Sequence, residues 1–140
     1  MAKLIYVDTN IYLDLFENRI DKFRPLGEIA SQLFIRALGC EFKIILSSLI
    51  IEEIENNGYE SELNILINDL KKKNKLVFVK EKQADRIAAN NLKNLRKTPF
   101  KDTCHLVIAT RTKAECLVTR NIKDYENLSD IIEVSLPELI

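Results

Sequence analysis

The sequence predicts an α/β fold of three layers, in which a mostly parallel central sheet of four to five strands lies between helices. Short apolar segments alternate along the chain with longer segments in which apolar residues recur every three or four positions. Strands separated by helices favour right-handed crossovers, which place helices on both faces of a parallel sheet. The 140 residues suffice for one domain, residues 1–140, built around a single core.

The strands are predicted from short runs of β-branched and aliphatic residues. The first run, Leu4 to Val7, ends abruptly in Asp8, Thr9 and Asn10. A buried strand of this kind delivers the polar residues that follow it to the rim of the sheet, where a helix begins. The other strands are predicted at residues 43–47, 76–79, 116–119 and 131–134.

Helices are predicted between the strands from apolar periodicity and from polar residues that can cap a helix. The pattern is strongest over residues 26–38, where Gly39 ends the helix. Thr9 or Asn10 can cap the first helix, and Ser47 or Ser48 can cap the third. The helices are expected at residues 11–16, 26–38, from about 49, 59–73, 84–95, and from 102 to about 113.

The segment around residues 84–101 combines a helix with a basic loop. The helix is predicted to present one face through Ala84, Ile87, Ala88, Asn91 and Leu95, opposite a polar face rich in Lys and Asn. Residues 96–101 are expected to form a loop, because the residue before a proline resists the helical conformation.

Composition and charge exclude several classes of protein. The 21 basic and 21 acidic residues cancel, so the molecule as a whole has no strong attraction for nucleic acid and any such affinity must be local. The sequence lacks a signal peptide and an apolar run of the roughly 18 residues that span a bilayer. Cys40, Cys104 and Cys116 have neither the number nor the spacing of a disulfide framework or a zinc site. We expect a cytoplasmic protein with reduced, mostly buried cysteines and no membrane contact.

Three carboxylates occupy comparable positions in the predicted fold. Asp8 follows the first strand, Glu53 lies early in the helix after the second strand, and Asp102 begins the helix before the fourth strand. Helical phase places Glu53 nearer the strand ends than Glu52. Because the carboxyl ends of parallel strands share one rim, these acids are expected to meet there, together with Asp124.

A cluster of carboxylates without His or Cys ligands selects a hard cation such as Mg²⁺ or Mn²⁺. Without a cation, the neighbouring like charges would resist joint ionisation. A divalent ion bound among them would lower the pKa of a bound water, orient that water and stabilise charge on a scissile phosphate. The pattern therefore predicts metal-dependent phosphodiester hydrolysis that needs no protein nucleophile.

Three motifs contain these acids: VDTN at residues 7–10, SSLIIEEI at 47–54, and DTCHLVIA at 102–109, which leads into LVTRNIKDY at 117–125. In combination they resemble the PIN-domain ribonucleases, and within them the VapC-type toxins of prokaryotic toxin–antitoxin pairs. The resemblance covers essentially the whole chain. It implies a PIN fold, a Mg²⁺ or Mn²⁺ cofactor, cleavage of RNA to a 3′-hydroxyl and a 5′-phosphate, a cognate antitoxin that blocks the site, and a homodimer.

The same resemblance assigns roles to individual residues. Many relatives have Asp where this chain has Asn121, so either Asp124 or the Asn121 amide is expected to complete the metal site. The metal ligands and catalytic residues would be Asp8, Glu53, Asp102 and Asp124. The supporting residues would be Thr9, Asn10, Thr119 and Asn121.

Basic residues near the acids are candidates for holding RNA phosphates. Arg96, Lys97 and Lys101 directly precede Asp102, and Arg120 adjoins Asn121, although a simple surface role for Arg120 is equally consistent with the sequence. The run at residues 71–73 is interpreted as a solvated helix end.

Several residues have simpler interpretations. Asp8 alone could be a helix cap, and Glu52 or Glu55 could take the place assigned to Glu53, since a run of acids often forms a solvated helix face. His105 follows Asp102 by one turn, but a lone His on an apolar helix is more often a core residue, so we expect it outside the metal shell.

Alternative functions also follow from the sequence. A catalytically silent PIN-fold binding or scaffold protein is the second hypothesis, because Asn121 replaces the usual acid and the net charge is zero. A phosphatase of the haloacid dehalogenase type is disfavoured, because the expected second Asp two residues after Asp8 is absent. Phe16 and Phe23, with the helix at 26–38, could form an antitoxin groove or a dimer contact.

Overall fold

The computed structural model describes residues 3–140 and is centred on a five-stranded parallel sheet. Its strand order is β3-β2-β1-β4-β5, and every neighbouring pair is parallel, which confirms the predicted sheet. The strands are β1 (Lys3–Val7), β2 (Phe42–Ser47), β3 (Leu76–Val79), β4 (Cys116–Val118) and β5 (Glu133–Ser135).

Helices complete the predicted three-layer α/β/α fold. Within it, α1 packs against α2 and α3, and α5 packs against α6. The helices are α1 (Thr9–Glu17), α2 (Leu26–Leu38), α3 (Ser48–Asn56), α4 (Glu60–Lys72), α5 (Gln83–Arg96) and α6 (Phe100–Arg111), followed by 3₁₀ helices at Ile122–Leu128 and Pro137–Leu139.

Strand β1 is the centre of the core. It pairs with β2 on one side and β4 on the other, and its residues Ile5, Tyr6 and Val7 are fully buried. A strand enclosed on both faces must be almost wholly apolar, which explains the uninterrupted run in the sequence. Its carboxyl end leads directly into Asp8 and α1.

Several element ends differ from those predicted. Asp8 itself caps α1, in place of Thr9 or Asn10, because its side chain accepts a hydrogen bond from the first amide of the helix. Ser47 caps α3. Helix α6 begins at Phe100, so Asp102 lies in its first turn rather than at its start. Strand β5 begins at Glu133, two residues later than predicted, since the 3₁₀ helix at Ile122–Leu128 and the turn after it occupy the preceding residues.

The face of α5 that was predicted to lie opposite the polar face is itself exposed to solvent. Ile87 and Leu95 are 57% and 75% exposed, and Ala84, Ala88 and Asn91 are exposed with them. The buried residues are Asp85 and Ala89, because α5 packs on α6 through an ion pair between Asp85 and Arg111. Apolar periodicity marked the opposite face, which leaves a stripe of aliphatic side chains in contact with solvent.

Other predictions concern membranes and cysteines. Each helix in residues 3–140 is too short or too polar to span a lipid bilayer. Cys104 and Cys116 are buried, as predicted for most of the cysteines, whereas Cys40 is exposed; all three are free thiols.

Candidate active site

A cleft of about 320 Å³ lies where residues following β1, β2 and β4 meet the first turn of α6. The carboxylates of Asp8, Glu53 and Asp102 line it together. The structure therefore brings together three of the four acids that the sequence predicted would meet at one rim of the sheet.

Asp8 is held on both carboxylate oxygens and is only 5% exposed. Its Oδ1 accepts a hydrogen bond from the Thr9 amide at 2.8 Å. Its Oδ2 accepts from the hydroxyls of Thr119 at 2.9 Å and Tyr125 at 3.0 Å, with a longer contact of 3.4 Å from the Asn10 amide. These donors come from both ends of the chain and fix the plane of the carboxylate.

Glu53 points from α3 into the cleft, whereas Glu52 and Glu55 on the same helix are exposed. Its Oε1 accepts from the Thr9 hydroxyl at 2.6 Å and lies 2.7 Å from His105 Nε2. Burial alone would raise the pKa of Glu53, but the hydrogen bonds and charge of His105, together with Thr9, lower it. Helical phase correctly distinguished Glu53 from its acidic neighbours.

Asp102 lies on the opposite wall, in the first turn of α6. Burial and the neighbouring negative charges of Asp8, Asp124 and Glu53 together raise the pKa of this carboxyl to about 6, although the nearby His105 acts to lower it. The cleft therefore concentrates negative charge that the protein's own cations do not balance at Asp102.

The two residues that could supply a fourth ligand take different positions. Asn121 lines the cleft, whereas Asp124 is exposed and lines a neighbouring groove with Arg120. The charge of Asp124 is still close enough to raise the pKa of Asp102. In residues 3–140, the amide of Asn121 rather than the carboxylate of Asp124 shares the cleft with the other acids.

His105 was expected to be a core residue, and it is both buried and part of the cleft. It is 2% exposed, with Nε2 at 2.7 Å from Glu53 Oε1 and 3.8 Å from Asp8 Oδ1. Burial lowers the pKa of His105, but the hydrogen bond to Glu53 and the charges of both carboxylates outweigh burial and raise it. The spacing of three residues after Asp102 was the sequence signal, because it places both side chains on one face of the helix.

The sequence matches the PIN domain family model over residues 5–123, a stretch that contains Asp8, Glu53, Asp102 and His105. The chain belongs to the PIN domain family. No curated protein sequence matches it significantly. Among solved structures, twelve chains match significantly.

One of these structures is a toxin-antitoxin complex from Klebsiella pneumoniae, which aligns with a TM-score of 0.61 and 21% sequence identity. The alignment covers 95% of this chain and 97% of that one. At this level of identity, the likeness supports the fold.

The hydroxyl and amide residues of this PIN domain hold the acids in place. The side-chain amide of Asn10 donates to the Thr119 hydroxyl at 3.0 Å, and its side-chain oxygen Oδ1 accepts from the Arg120 backbone amide at 3.2 Å. Thr9 was expected to support Asp8; its backbone amide does so, while its hydroxyl contacts Glu53. Tyr125, which the sequence did not single out, reaches Asp8 because the 3₁₀ helix after β4 folds back over the strand end.

The four candidate phosphate-binding cations of the PIN domain lie in different places. Lys101 lines the cleft. Arg120 lies beside it, with its Nε donating to the buried carboxylate of Asp14 at 2.9 Å. Arg96 instead pairs with Asp130 through both terminal nitrogens, and Lys97 is exposed at the end of α5. Of these four cations, only Lys101 therefore shares the cleft lining with the acids.

The acids surround the cleft without converging on one point. Among residues 3–140, no group of three Asp, Glu, His or Cys side chains is gathered closely enough to hold a metal ion as the side chains are oriented. Asp8, Glu53 and Asp102 nevertheless form an all-oxygen donor set on one cleft, with the pKa of Asp102 raised by burial and by like charges. Oxygen donors and uncompensated negative charge suit a hard divalent cation.

Proposed function

We propose that this PIN domain is a metal-dependent endoribonuclease and the toxin of a toxin–antitoxin pair. The observation that carries the proposal is the meeting of Asp8, Glu53 and Asp102 on one cleft, although they are distant in sequence. Membership of the PIN domain family supports a nuclease, and the likeness to the toxin-antitoxin complex from Klebsiella pneumoniae supports the toxin role.

The metal would be Mg²⁺ or Mn²⁺, held by Asp8, Glu53 and Asp102. When bound, such an ion activates water and stabilises charge on a phosphodiester. Asn121, inside the cleft, is one candidate for a fourth metal ligand, and Asp124, at the edge of the cleft, is the other. Thr119, Tyr125 and the Thr9 amide would keep Asp8 fixed during the reaction, because each donates to one of its oxygens.

The substrate would be RNA, held by its phosphates. Lys101 is suited to this role because it lines the same cleft as the acids. Arg120 is suited because a buried carboxylate, Asp14, holds its Nε and limits the freedom of the guanidinium. An activity of this kind would act on RNA in the cytoplasm.

The proposed partners are a cognate antitoxin and a second copy of the chain. The sequence pointed to the helix at 26–38 with Phe16 and Phe23 as a contact surface. In the structure Phe23 is fully exposed and Ile35 of α2 is 54% exposed, whereas Phe16 packs against Tyr59. Phe23 and Ile35 are therefore apolar side chains that such a partner would cover.

The proposal is tested by incubating the purified protein with total cellular RNA and Mn²⁺ and mapping new 5′-phosphate ends by sequencing. Asp8→Asn, Glu53→Gln and Asp102→Asn should each reduce cleavage by about 100-fold or more, because each removes a ligand charge. Glu52→Gln is the matched control, since Glu52 is exposed one residue away on the same helix. Wild-type cleavage in one of the three variants would remove that residue from the proposed site.

A silent scaffold is the second candidate, favoured by Asn121 standing in the cleft where an acid is usual. Calorimetric titration of the wild-type protein with Mn²⁺ separates the two functions. Saturable binding that Asp8→Asn weakens supports the nuclease. Absence of binding, together with absence of new RNA ends, would favour the scaffold.

A further inference from the structure

Glu53 is held unevenly. Both hydrogen bonds that its carboxylate accepts within residues 3–140 end on Oε1, from Thr9 at 2.6 Å and from His105 at 2.7 Å. The second oxygen, Oε2, is therefore left for the cleft. A carboxylate restrained in this way presents one oxygen in one direction, which favours a single mode of coordination.

His105 is itself fixed from behind by a chain of buried hydroxyls. Its Nδ1 lies 2.7 Å from the Tyr6 hydroxyl, and that hydroxyl lies 2.8 Å from Ser47 Oγ. Ser47 Oγ in turn accepts from the Ile50 amide at 3.2 Å. Tyr6 and Ser47 are fully buried, so water cannot replace their mutual contacts.

This series of hydrogen-bonded side chains begins and ends on the same helix, α3. It starts at the first turn of α3, where Ser47 caps the helix, crosses β1 through Tyr6 and α6 through His105, and returns to α3 at Glu53. The contacts allow one consistent set of directions when Nε2 carries the ring proton: the Ile50 amide donates to Ser47, the Ser47 hydroxyl to Tyr6, the Tyr6 hydroxyl to Nδ1, and Nε2 to Glu53. Nε2 also donates to Glu53 when the ring carries both protons, since a hydroxyl can accept as well as donate.

We infer that His105 is a positioning residue: anchored by Tyr6 and Ser47, it holds one oxygen of Glu53 and thereby aims the other at the metal. This inference rests on the proposed metal-dependent function. It gives a role to the only histidine of the chain and to a buried tyrosine that an apolar residue of similar shape could otherwise replace. His105 lies behind the ligand, and it need not contact the metal or the RNA.

Four variants test this role through Mn²⁺ affinity, measured by calorimetry. His105→Leu keeps an apolar side chain but removes the donor to Glu53, and it should weaken Mn²⁺ binding by about 10- to 100-fold. His105→Gln can place an amide donor near the position of Nε2 and should recover most of that loss. Tyr6→Phe removes the anchor alone and should weaken binding about fivefold.

Tyr12→Phe is the matched control for Tyr6→Phe. The Tyr12 hydroxyl is also buried, but it has no hydrogen-bond partner among the described residues, so its removal should leave Mn²⁺ affinity unchanged. Unfolding midpoints measured without metal show whether each variant is folded. If His105→Leu does not fold, the comparison of Tyr6→Phe with Tyr12→Phe, which both retain the ring, decides the question.

Steady-state cleavage gives a second readout. In His105→Leu at a fixed Mn²⁺ concentration that saturates the wild-type protein, kcat should fall while KM for RNA stays within about twofold, because the cleft cations are untouched. Wild-type Mn²⁺ affinity in both His105→Leu and Tyr6→Phe would overturn the positioning role of His105 but not the proposed function. Absence of Mn²⁺ binding by the wild-type protein would overturn the proposed function, and the inference with it.

Discussion

The ion pair between Asp85 and Arg111 controls how α5 docks on α6, and its removal has a calculable effect on stability. Asp85 is 2% exposed and accepts from Arg111 Nε at 2.7 Å and from a terminal nitrogen of Arg111 at 2.9 Å. It also accepts from the Lys82 amide at 2.8 Å, which satisfies a donor at the start of α5. Asp85→Asn keeps the shape of the side chain, removes its charge and leaves Arg111 without a charged partner, although Arg111 still donates to the Lys80 carbonyl at 3.0 Å.

The magnitude follows from the burial of the two partners. Breaking a buried ion pair from one side costs about 3–5 kcal/mol. The Arg111 side chain is 32% exposed, so water compensates part of this loss. We expect the free energy of unfolding to fall by about 2–3 kcal/mol and the thermal midpoint by about 6–10 °C. Circular dichroism during heating and urea titration measure the two quantities.

Asp130→Asn is the matched control. Arg96 contacts both oxygens of Asp130 at 2.8 and 3.2 Å, but the Asp130 side chain is 64% exposed. An exposed pair contributes little, so no measurable loss of stability is expected. Equal losses of stability in Asp85→Asn and Asp130→Asn would refute the reasoning, because the burial of the ion pair would then make no difference.

The effect of Asp85→Asn should also depend on pH. Burial acts to raise the pKa of Asp85, but the hydrogen bonds from Arg111 and the Lys82 amide outweigh it and lower the pKa. A lowered pKa in the folded state stabilises the protein above the unfolded pKa of about 3.9, and this contribution is lost as the pH falls through the folded value. The difference in free energy of unfolding between wild type and variant should be constant from about pH 7 to about pH 5, and it should decrease below about pH 4.

Two further predictions concern the cleft. Lys101→Met should raise KM for RNA with little change in kcat, and it should reduce the slope of log affinity against log salt by about one, since it removes one phosphate contact. Filter binding at several salt concentrations measures this slope. An unchanged slope would place Lys101 outside the RNA-binding surface. Asn121→Asp adds a carboxylate inside the cleft and should tighten Mn²⁺ binding about tenfold, whereas Asp124→Asn, outside the cleft lining, should change it less. Calorimetry on the two variants decides which position completes the site, and a larger effect at Asp124 would reverse the assignment.

The sequence predicted the parts of this fold that follow from local patterns and topology. The apolar run before Asp8 identified a buried strand, and the shared rim of parallel strands correctly predicted that Asp8, Glu53 and Asp102 would meet on one cleft. Helical phase together with its position in the motif selected Glu53, because only one face of a short helix after β2 can point toward that rim.

The features that the sequence did not predict depend on contacts between residues distant in sequence, and apolar periodicity carries no information about such contacts. The buried side of α5 carries Asp85, which pairs with Arg111, together with Ala89, so Ile87 and Leu95 face solvent against the pattern. The contacts of His105 with Tyr6 and Glu53 arise only when three elements pack together. Tyr125 approaches Asp8 after a turn whose geometry has no clear sequence signal.

The position of β1 between β2 and β4 has a consequence for synthesis on the ribosome. Two partners of Asp8, Thr119 and Tyr125, follow it in the sequence by 111 and 117 residues. At about 5–20 residues per second, the chain needs roughly 6–23 s to produce them, and more to release them from the exit tunnel. Until then β1 lacks its β4 neighbour, and Asp8 lacks the hydroxyls that orient it. The Asp8 side of the cleft therefore cannot take its final geometry until Tyr125 has left the ribosome.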